Sequence, residues 1–183
     1  NILSVKLKYK IDSKNTIPLK QRFLYPKNNG GIAGDVFIHL KPDIFISKTN
    51  IKSKLSDDYK NAELTVESLV RNHLIKNLEG LEKEPAQYRL MISIVNESGE
   101  ILQQFPSKPF LLERNKDVAL NEVVKISAPE LWSPNNPKSY LLKFELFQAD
   151  SLLDISHESI SIYDFYSTEN HFSLNGNEFN LKG

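Results

Sequence analysis

Four histidines are the side chains in this sequence that could bind a transition metal: His39, His73, His157 and His171. Zinc enzymes often take two ligands from a short motif such as His-Glu-x-x-His, which places both imidazoles on one face of a helix. These histidines lie far apart and form neither that motif nor a His-x-His pair. The sequence therefore predicts no metal site. It contains no cysteine, which excludes thiolate ligands, disulfides and cysteine nucleophiles.

Carboxylate pairs are the next candidates for chemistry. Asp57-Asp58 and the pair Glu82 and Glu84 lie in polar, loop-like stretches, whereas general acid–base catalysis needs two carboxylates in a shaped cleft with their pKa values pushed apart. The glycine-rich residues 30–34 match neither the dinucleotide nor the phosphate-loop spacing. The residues alone therefore predict no catalytic and no cofactor-binding site.

The aromatic residues could form stacking platforms for sugars, because the chain has ten Phe, seven Tyr and one Trp. Several of them, such as Tyr88, Tyr140 and Phe144, occupy alternating positions of predicted strands, which favours core packing. Trp132 lies in a proline-rich turn. There it fits two roles equally well, a plug that closes the end of a sandwich or a sugar platform.

The elements that must position these residues are strands, because the apolar residues alternate with polar ones with a period of two. The alternating runs lie at residues 3–11, 36–46, 88–94, 118–126 and 140–146. Turn-forming sequences separate them at residues 96–99, 135–137 and 148–151. Short strands at this spacing predict an all-β sandwich.

One segment is ambiguous. Between Asn61 and Pro85 the apolar residues fit both a helical and a strand spacing. We predict a strand up to about Asn72 and a loop or short helix over residues 74–85.

The charge and the hydropathy of the chain argue against two further classes of protein, those that bind nucleic acids or anionic membranes and those that span a bilayer with an apolar helix. The 23 basic and 23 acidic residues give no net charge, which argues against a nucleic-acid or anionic-membrane surface. No apolar run approaches the roughly 18 residues that span a bilayer. The chain begins without Met or a signal-like pattern, so we expect a piece of a longer protein.

Three segments, in order, resemble the non-catalytic part of family 2 glycoside hydrolases, the β-galactosidase, β-glucuronidase and β-mannosidase group. Residues 30–38 (GGIAGDVFI) are similar to the segment that closes the sugar-binding jelly roll of that family. Residues 131–137 (LWSPNNP), followed by Tyr140, are similar to a motif of its immunoglobulin-like domain. Residues 172–183 (FSLNGNEFNLKG) resemble the stretch leading into the first strand of the catalytic barrel. Here Asn175-Gly176 is also a strong signal for a type I′ hairpin.

The resemblance implies an immunoglobulin-like antiparallel β-sandwich over residues 42–164. Before it, residues 1–41 would be the C-terminal part of a jelly-roll domain, and residues 165–183 would be a linker hairpin leading to an absent (β/α)₈ catalytic barrel. The catalytic glutamates of the family lie in that barrel, so no catalytic, cofactor-binding or metal residue is carried over. The implied partners are the barrel and jelly roll of the parent chain and its carbohydrate substrate. For that parent, a periplasmic or secreted location is favoured over a cytoplasmic one.

Two features depart from the family pattern: Ala33-Gly34 replaces an aromatic residue and Arg, and residues 164–166 (DFY) replace Gly-Phe-Arg. The sugar specificity of the parent is therefore not readable. Two other functions stay open, a stand-alone carbohydrate-binding module and an adhesion or assembly sandwich that uses its strand edges. The strand predicted near residues 3–11 would expose such an edge, so we also expect pairing with the sandwich or with another copy in a homo-oligomer.

Overall fold

The computed structural model describes residues 4–6, 32, 34–73, 86–96, 98–168 and 171–179. The chain divides into two compact units, Asn1–Leu40 and Lys41–Gly183. The described residues of the first unit form no strand, and every strand named below lies in the second. Over the described ranges, no helix is long and apolar enough to cross a membrane.

Strands account for most of the second unit. In chain order they are β1 (Ile44–Leu55), β2 (Asn61–Asn72), β3 (Ala86–Val95), β4 (Ile101–Pro106), β5 (Phe110–Leu112), β6 (Asp117–Ser127), β7 (Tyr140–Gln148), β8 (Ser151–Ile160), β9 (Phe165–Ser167), β10 (Phe172–Leu174) and β11 (Asn177–Phe179).

Two antiparallel sheets form the sandwich. One has the order β1-β2-β6, and the other has the order β4-β3-β7-β8 with β5 beside β3. Immunoglobulin-type sandwiches place their first, second and fifth strands in one sheet and their third, sixth and seventh in the other. The strands β1, β2, β6 and β3, β7, β8 follow that division, with β4 added at one edge. The predicted all-β, immunoglobulin-like antiparallel sandwich is therefore confirmed. A third, smaller sheet has the order β11-β10-β9.

The core lies between the two large sheets and is built by the alternation seen in the sequence. In β2 every second residue is buried, from Ala62 through Leu64 and Val66 to Asn72. Tyr88 and Phe144, which we expected in the core, are 4% and 0% exposed. Burying one such side chain stabilises a fold by about 1.5–3 kcal/mol, and the facing rows of β2, β3 and β7 provide many of them.

The ambiguous segment resolves in part. A strand runs from Asn61 to Asn72, as predicted, while residues 74–85 lie outside the described residues. The predicted turn at residues 148–151 joins β7 to β8, with Ala149 at a φ of 49°. At residues 96–99, Gly99 adopts a φ of 85°.

The predicted strand over residues 36–40 is wrong. Residues 35–42 form no strand, and Val36, Ile38 and Leu40 are 63%, 74% and 91% exposed. Alternation stabilises a strand only where a neighbouring strand accepts its hydrogen bonds and a core accepts one face. The same pattern does form a strand from Ile44, where β2 supplies a partner. The strand expected over residues 3–11 falls almost wholly outside the described residues.

Candidate functional site

The turn at residues 131–137 lies at the end of the sandwich and is closed by its own backbone. Ser133 N–H donates to the Asn136 carbonyl at 2.9 Å, and Asn136 N–H donates to the Ser133 carbonyl at 3.0 Å. Pro134, between them, fixes its own φ and so favours the turn. Trp132 N–H donates to the Ile162 carbonyl at 2.8 Å. This bond joins the turn to the chain that leaves β8.

The ring of Trp132 is half-buried and packs against Tyr163, with the ring centroids 5.5 Å apart and the planes tilted by 52°. The main chain of Trp132 is hydrogen-bonded to that of Ile162, whose side chain is fully buried. Tyr163 itself is 49% exposed. This geometry favours the end-closing role of Trp132 over that of an open sugar platform.

The hairpin between β10 and β11 reverses at Asn175 and Gly176, whose φ angles are 52° and 77°. A type I′ turn requires positive φ at both central residues, which explains the Asn-Gly sequence. The predicted hairpin at these two residues is therefore confirmed.

Asn175 also bonds this hairpin to the sandwich through three contacts. Its N–H donates to the Asp164 carbonyl at 2.8 Å, and its Oδ1 accepts from Asp164 N–H at 3.0 Å. Its Nδ2 donates to the Trp132 carbonyl at 3.0 Å. A single amide thus connects the hairpin, the segment after β8 and the Trp132 turn.

A second connection comes from the turn between β1 and β2. Tyr59 has a φ of 58°, a conformation that is costly for a bulky residue. Its hydroxyl donates to Asp164 Oδ2 at 3.0 Å, and its ring lies where a Cβ on Gly176 would meet Cε2 at 3.0 Å. The hydrogen bond to Asp164 and, to a smaller extent, desolvation raise the pKa of Tyr59 above its ordinary value. We call Tyr59, Trp132, Asp164, Asn175 and Gly176 the junction cluster.

Next to the junction cluster, the small sheet presents three phenylalanines on one side. Phe165 stacks on Phe172 with centroids 5.7 Å apart and an interplanar angle of 12°. Phe179 meets Phe165 edge-on at 6.3 Å. Phe165 and Phe172 are 45% and 39% exposed, and Phe179 is half-buried. We call these three residues the phenylalanine face.

An open depression of about 350 Å³ borders the junction cluster. Hydroxyl groups, carboxylates and two tyrosine rings line it, supplied in part by Ser56, Asp57, Tyr59, Tyr163 and Asp164. Carboxylates, hydroxyls and an aromatic ring are groups that can hydrogen-bond and stack against a sugar.

Three of the four histidines have contacts with a neighbouring side chain in the structure. The ring of His39 lies 6.4 Å from that of Phe37, and the ring of His73 lies 5.9 Å from that of Phe45. His171 contacts Thr168 at 3.1 Å. Within the described ranges, no group of three or more His, Cys, Asp or Glu could hold a metal ion.

Of the two acidic pairs considered above, Asp57 and Asp58 lie among the residues that the structure describes. Asp57 and Asp58 are exposed in the β1–β2 turn. A hydrogen bond from the Ser56 hydroxyl lowers the pKa of Asp58 below its ordinary value. Glu82, Glu84 and residues 30–31 and 33 of the glycine segment lie outside the described residues.

The sequence predicts the turn at Asn175-Gly176 and marks Trp132 as a residue at the end of the sandwich. It does not predict the contacts of Tyr59 or the hydrogen bonds of Asp164. Asp164 stood out only as a departure from a family pattern. No local signal marks Tyr59, because its partner in the hydrogen bond lies 105 positions away.

Comparison with known proteins gives one family match. The family described as "Glycosyl hydrolases family 2" matches residues 44–162. A β-galactosidase from Priestia megaterium is 23% identical over 154 residues, which is 84% of this chain and 14% of that protein. The chain therefore spans only a small part of that curated relative.

Several solved structures share the fold of this chain. A glycosyl hydrolase family 2 member from Bacteroides cellulosilyticus matches with 25% identity and a TM-score of 0.65, covering 78% of this chain and 17% of that one. A β-glucuronidase from Bacteroides uniformis matches with 23% identity and a TM-score of 0.66, with the same coverage. An exo-chitosanase from Amycolatopsis orientalis shares the fold at 18% identity and a TM-score of 0.66, covering 84% of this chain and 17% of that one.

Proposed function

The chain belongs to glycosyl hydrolases family 2, and from that membership we propose that it is a non-catalytic spacer of a larger glycoside hydrolase. In this proposal residues 42–164 are the immunoglobulin-like spacer and residues 1–41 end a preceding jelly roll. Residues 165–183 lead into a catalytic barrel. The lengths of the relatives support the proposal, because the chain matches only 14% of the β-galactosidase and 17% of the three structures.

The junction cluster is the observation that carries the proposal. Asn175 bonds to both Asp164 and Trp132, so the β10–β11 hairpin is held against the end of the sandwich. A spacer must transmit a fixed direction to the domain that follows it. A hairpin held by hydrogen bonds and by Tyr59 packed over Gly176 does so, whereas a flexible linker would not.

The reaction of the parent would be hydrolysis of an O-glycosidic bond with retention of configuration. That reaction requires two carboxyl groups about 5–5.5 Å apart, one acting as nucleophile and the other as acid and then base. We place both in the barrel of the parent. The relatives act as a β-galactosidase, a β-glucuronidase and an exo-chitosanase by their names, and the parent would act on a related glycoside.

Glycosidase assays on two purified proteins test the proposal. The 183-residue chain and the native full-length gene product are each incubated with chromogenic β-galactosides, β-glucuronides and β-glucosaminides. We expect turnover only from the full-length protein. Turnover by the pure 183-residue chain would show that the chain is catalytic. A full-length protein without glycosidase activity would refute the spacer role.

A carbohydrate-binding module is the second candidate, and the polar depression beside Tyr163 is the observation that favours it. Trp132 is the single tryptophan and packs on Tyr163, so its fluorescence reports on the depression. Saturable binding of a glycan that Tyr163→Ala abolishes, and that Tyr166→Ala leaves intact, would support the module. No change of fluorescence or heat with any glycan tested would leave the spacer as the function.

A further inference from the structure

The phenylalanine face lies on a single side of the small sheet. Phe172 pairs directly with Phe179 across one strand boundary and with Ser167 across the other. Residues directly opposite in an antiparallel pair share a face, so these side chains point the same way. Glu178 and Tyr166 pair with Ser173 and point to the other side. The two sides of this sheet therefore differ sharply, with stacked rings on one of them.

The size of the phenylalanine face indicates which kind of partner could cover it. A phenylalanine side chain buries roughly 150–250 Å² when it is fully enclosed. Three such rings, each near two-fifths exposed or less, offer on the order of 250 Å². A stable interface between free proteins takes about 800 Å² from each partner. The three rings alone supply less than a third of that area, which favours a partner that is already tethered beside them.

A tethered partner needs much less area, because the linker supplies a high effective concentration of roughly millimolar order. Phe179 is itself part of the face, and four residues, 180–183, follow it in the given sequence. Four residues reach at most about 14 Å. Any polypeptide that continues beyond residue 183 in a longer parent starts within that distance of the face.

We propose that the phenylalanine face is the docking surface for the domain that follows residue 183 in the parent protein. The proposal rests on the proposed spacer function and adds the surface through which the spacer contacts its neighbour. The neighbour would present a small apolar patch that covers Phe165 and Phe172 and excludes water from their stacked rings. With the hairpin held by the junction cluster, this contact would fix the orientation of the following domain.

Thiol labelling tests the proposal without disturbing the rings, because the chain has no cysteine of its own. Ser167→Cys places a thiol beside Phe172 on the phenylalanine face, at an exposed position. Glu178→Cys places one on the opposite side of the same sheet, also exposed, and is the matched control. Each variant is made in the 183-residue chain and in the native full-length protein. Alkylation of the introduced position is followed by mass spectrometry.

We expect the Ser167→Cys thiol to react at least tenfold more slowly in the full-length protein than in the 183-residue chain. The Glu178→Cys thiol should react at the same rate in both. Equal rates for Ser167→Cys in the two proteins would overturn the docking proposal. A rate in the 183-residue chain that falls as its concentration rises would identify a second copy as the occupant, which also overturns it.

Glycosidase activity, measured on the same full-length sample, separates this failure from failure of the spacer function. If the full-length protein hydrolyses glycosides but its Ser167→Cys thiol reacts as fast as in the 183-residue chain, the docking surface alone is refuted. If the full-length protein has no glycosidase activity and no domain after residue 183, the docking surface and the spacer function are both refuted.

Discussion

The side-chain amide of Asn175 donates a hydrogen bond to the main-chain carbonyl of Trp132 at 3.0 Å, across 43 positions of sequence. The Oδ1 atom of the same amide accepts from Asp164 N–H at 3.0 Å. The oxygen and the nitrogen of the side-chain amide are therefore each hydrogen-bonded to the main chain of a different segment. The conformation that makes Asn175 suitable for a type I′ turn also directs its side chain to these groups. The hairpin and the end of the sandwich are thus coupled through one residue.

Replacing Asn175 tests this coupling. Asn175→Gly keeps the positive φ at little cost but removes both side-chain bonds, and Asp164 N–H then loses its acceptor. We expect a loss of about 1–3 kcal/mol in the free energy of unfolding, since an unpaired, partly buried polar group costs about that much. Urea unfolding followed by the fluorescence of Trp132 measures it, because Trp132 is the single tryptophan.

Asn115→Gly is the matched control for that variant. Asn115 has a φ of 54° and is exposed in the turn before β6, so its replacement should change the free energy of unfolding by a few tenths of a kcal/mol. Equal effects of the two substitutions would contradict the coupling role of Asn175.

Gly176 is expected to tolerate no side chain, for two separable reasons. Its φ of 77° disfavours any L residue, and a Cβ there would lie 3.0 Å from Tyr59 Cε2. Gly99 has a similar φ of 85° with nothing within 4 Å of the Cβ position. Gly99→Ala should therefore cost about 1 kcal/mol, from backbone strain alone, and Gly176→Ala should cost more. Thermal unfolding of both variants gives the difference, and a smaller loss at Gly176 would show that the Tyr59 ring moves aside freely.

The sequence predicts the features that depend on local rules and misses those that depend on distant partners. Strand alternation predicts the buried face of β2, and the Asn-Gly pair predicts the β10–β11 turn, because each pattern acts over a few residues. The same alternation fails over residues 36–40, where the described residues form no strand. The junction cluster could not be predicted, because the pairing of Tyr59 with Asp164 exists only after two distant loops meet at one end of the sandwich.

Tyr59→Phe should lower stability and change its pH dependence. The hydrogen bond to Asp164 raises the pKa of Tyr59 above its ordinary 10.0, so in the folded state the hydroxyl holds its proton more tightly. This contribution is fully present below pH 10 and is lost as the pH rises through the raised folded value. Above pH 10 the free energy of unfolding of the unmodified chain should therefore fall more steeply than that of Tyr59→Phe.

The two proteins differ only in the Tyr59 hydroxyl, so any difference between their alkaline slopes comes from that group. The buried Tyr88, whose pKa is raised by desolvation, is present in every variant and cancels from the comparison. Parallel slopes for the unmodified chain and Tyr59→Phe above pH 10 would show that the Tyr59–Asp164 hydrogen bond contributes nothing to folding.

Asp154 joins the outer edges of the two large sheets. It lies in β8, its side chain is 8% exposed, and its Oδ2 accepts from Ile46 N–H at 2.9 Å in β1. The same carboxylate binds Lys41 Nζ at 3.1 and 3.2 Å. Lys41 is the first residue of the second unit, so the ion pair joins the start of that unit to β8.

Asp154→Ala leaves the buried Ile46 N–H without its acceptor, and we expect a loss of about 1–3 kcal/mol in the free energy of unfolding. Asp154→Asn keeps an oxygen for that N–H and removes only the charge that faces Lys41, whose side chain is 37% exposed. Exposed ion pairs contribute about 1 kcal/mol or less, so Asp154→Asn should lose less than half as much. Urea unfolding at two salt concentrations measures both variants, and only the charge contribution should weaken at high salt. Equal losses for the two would mean that the ion pair, rather than the bond to Ile46, joins the sheet edges.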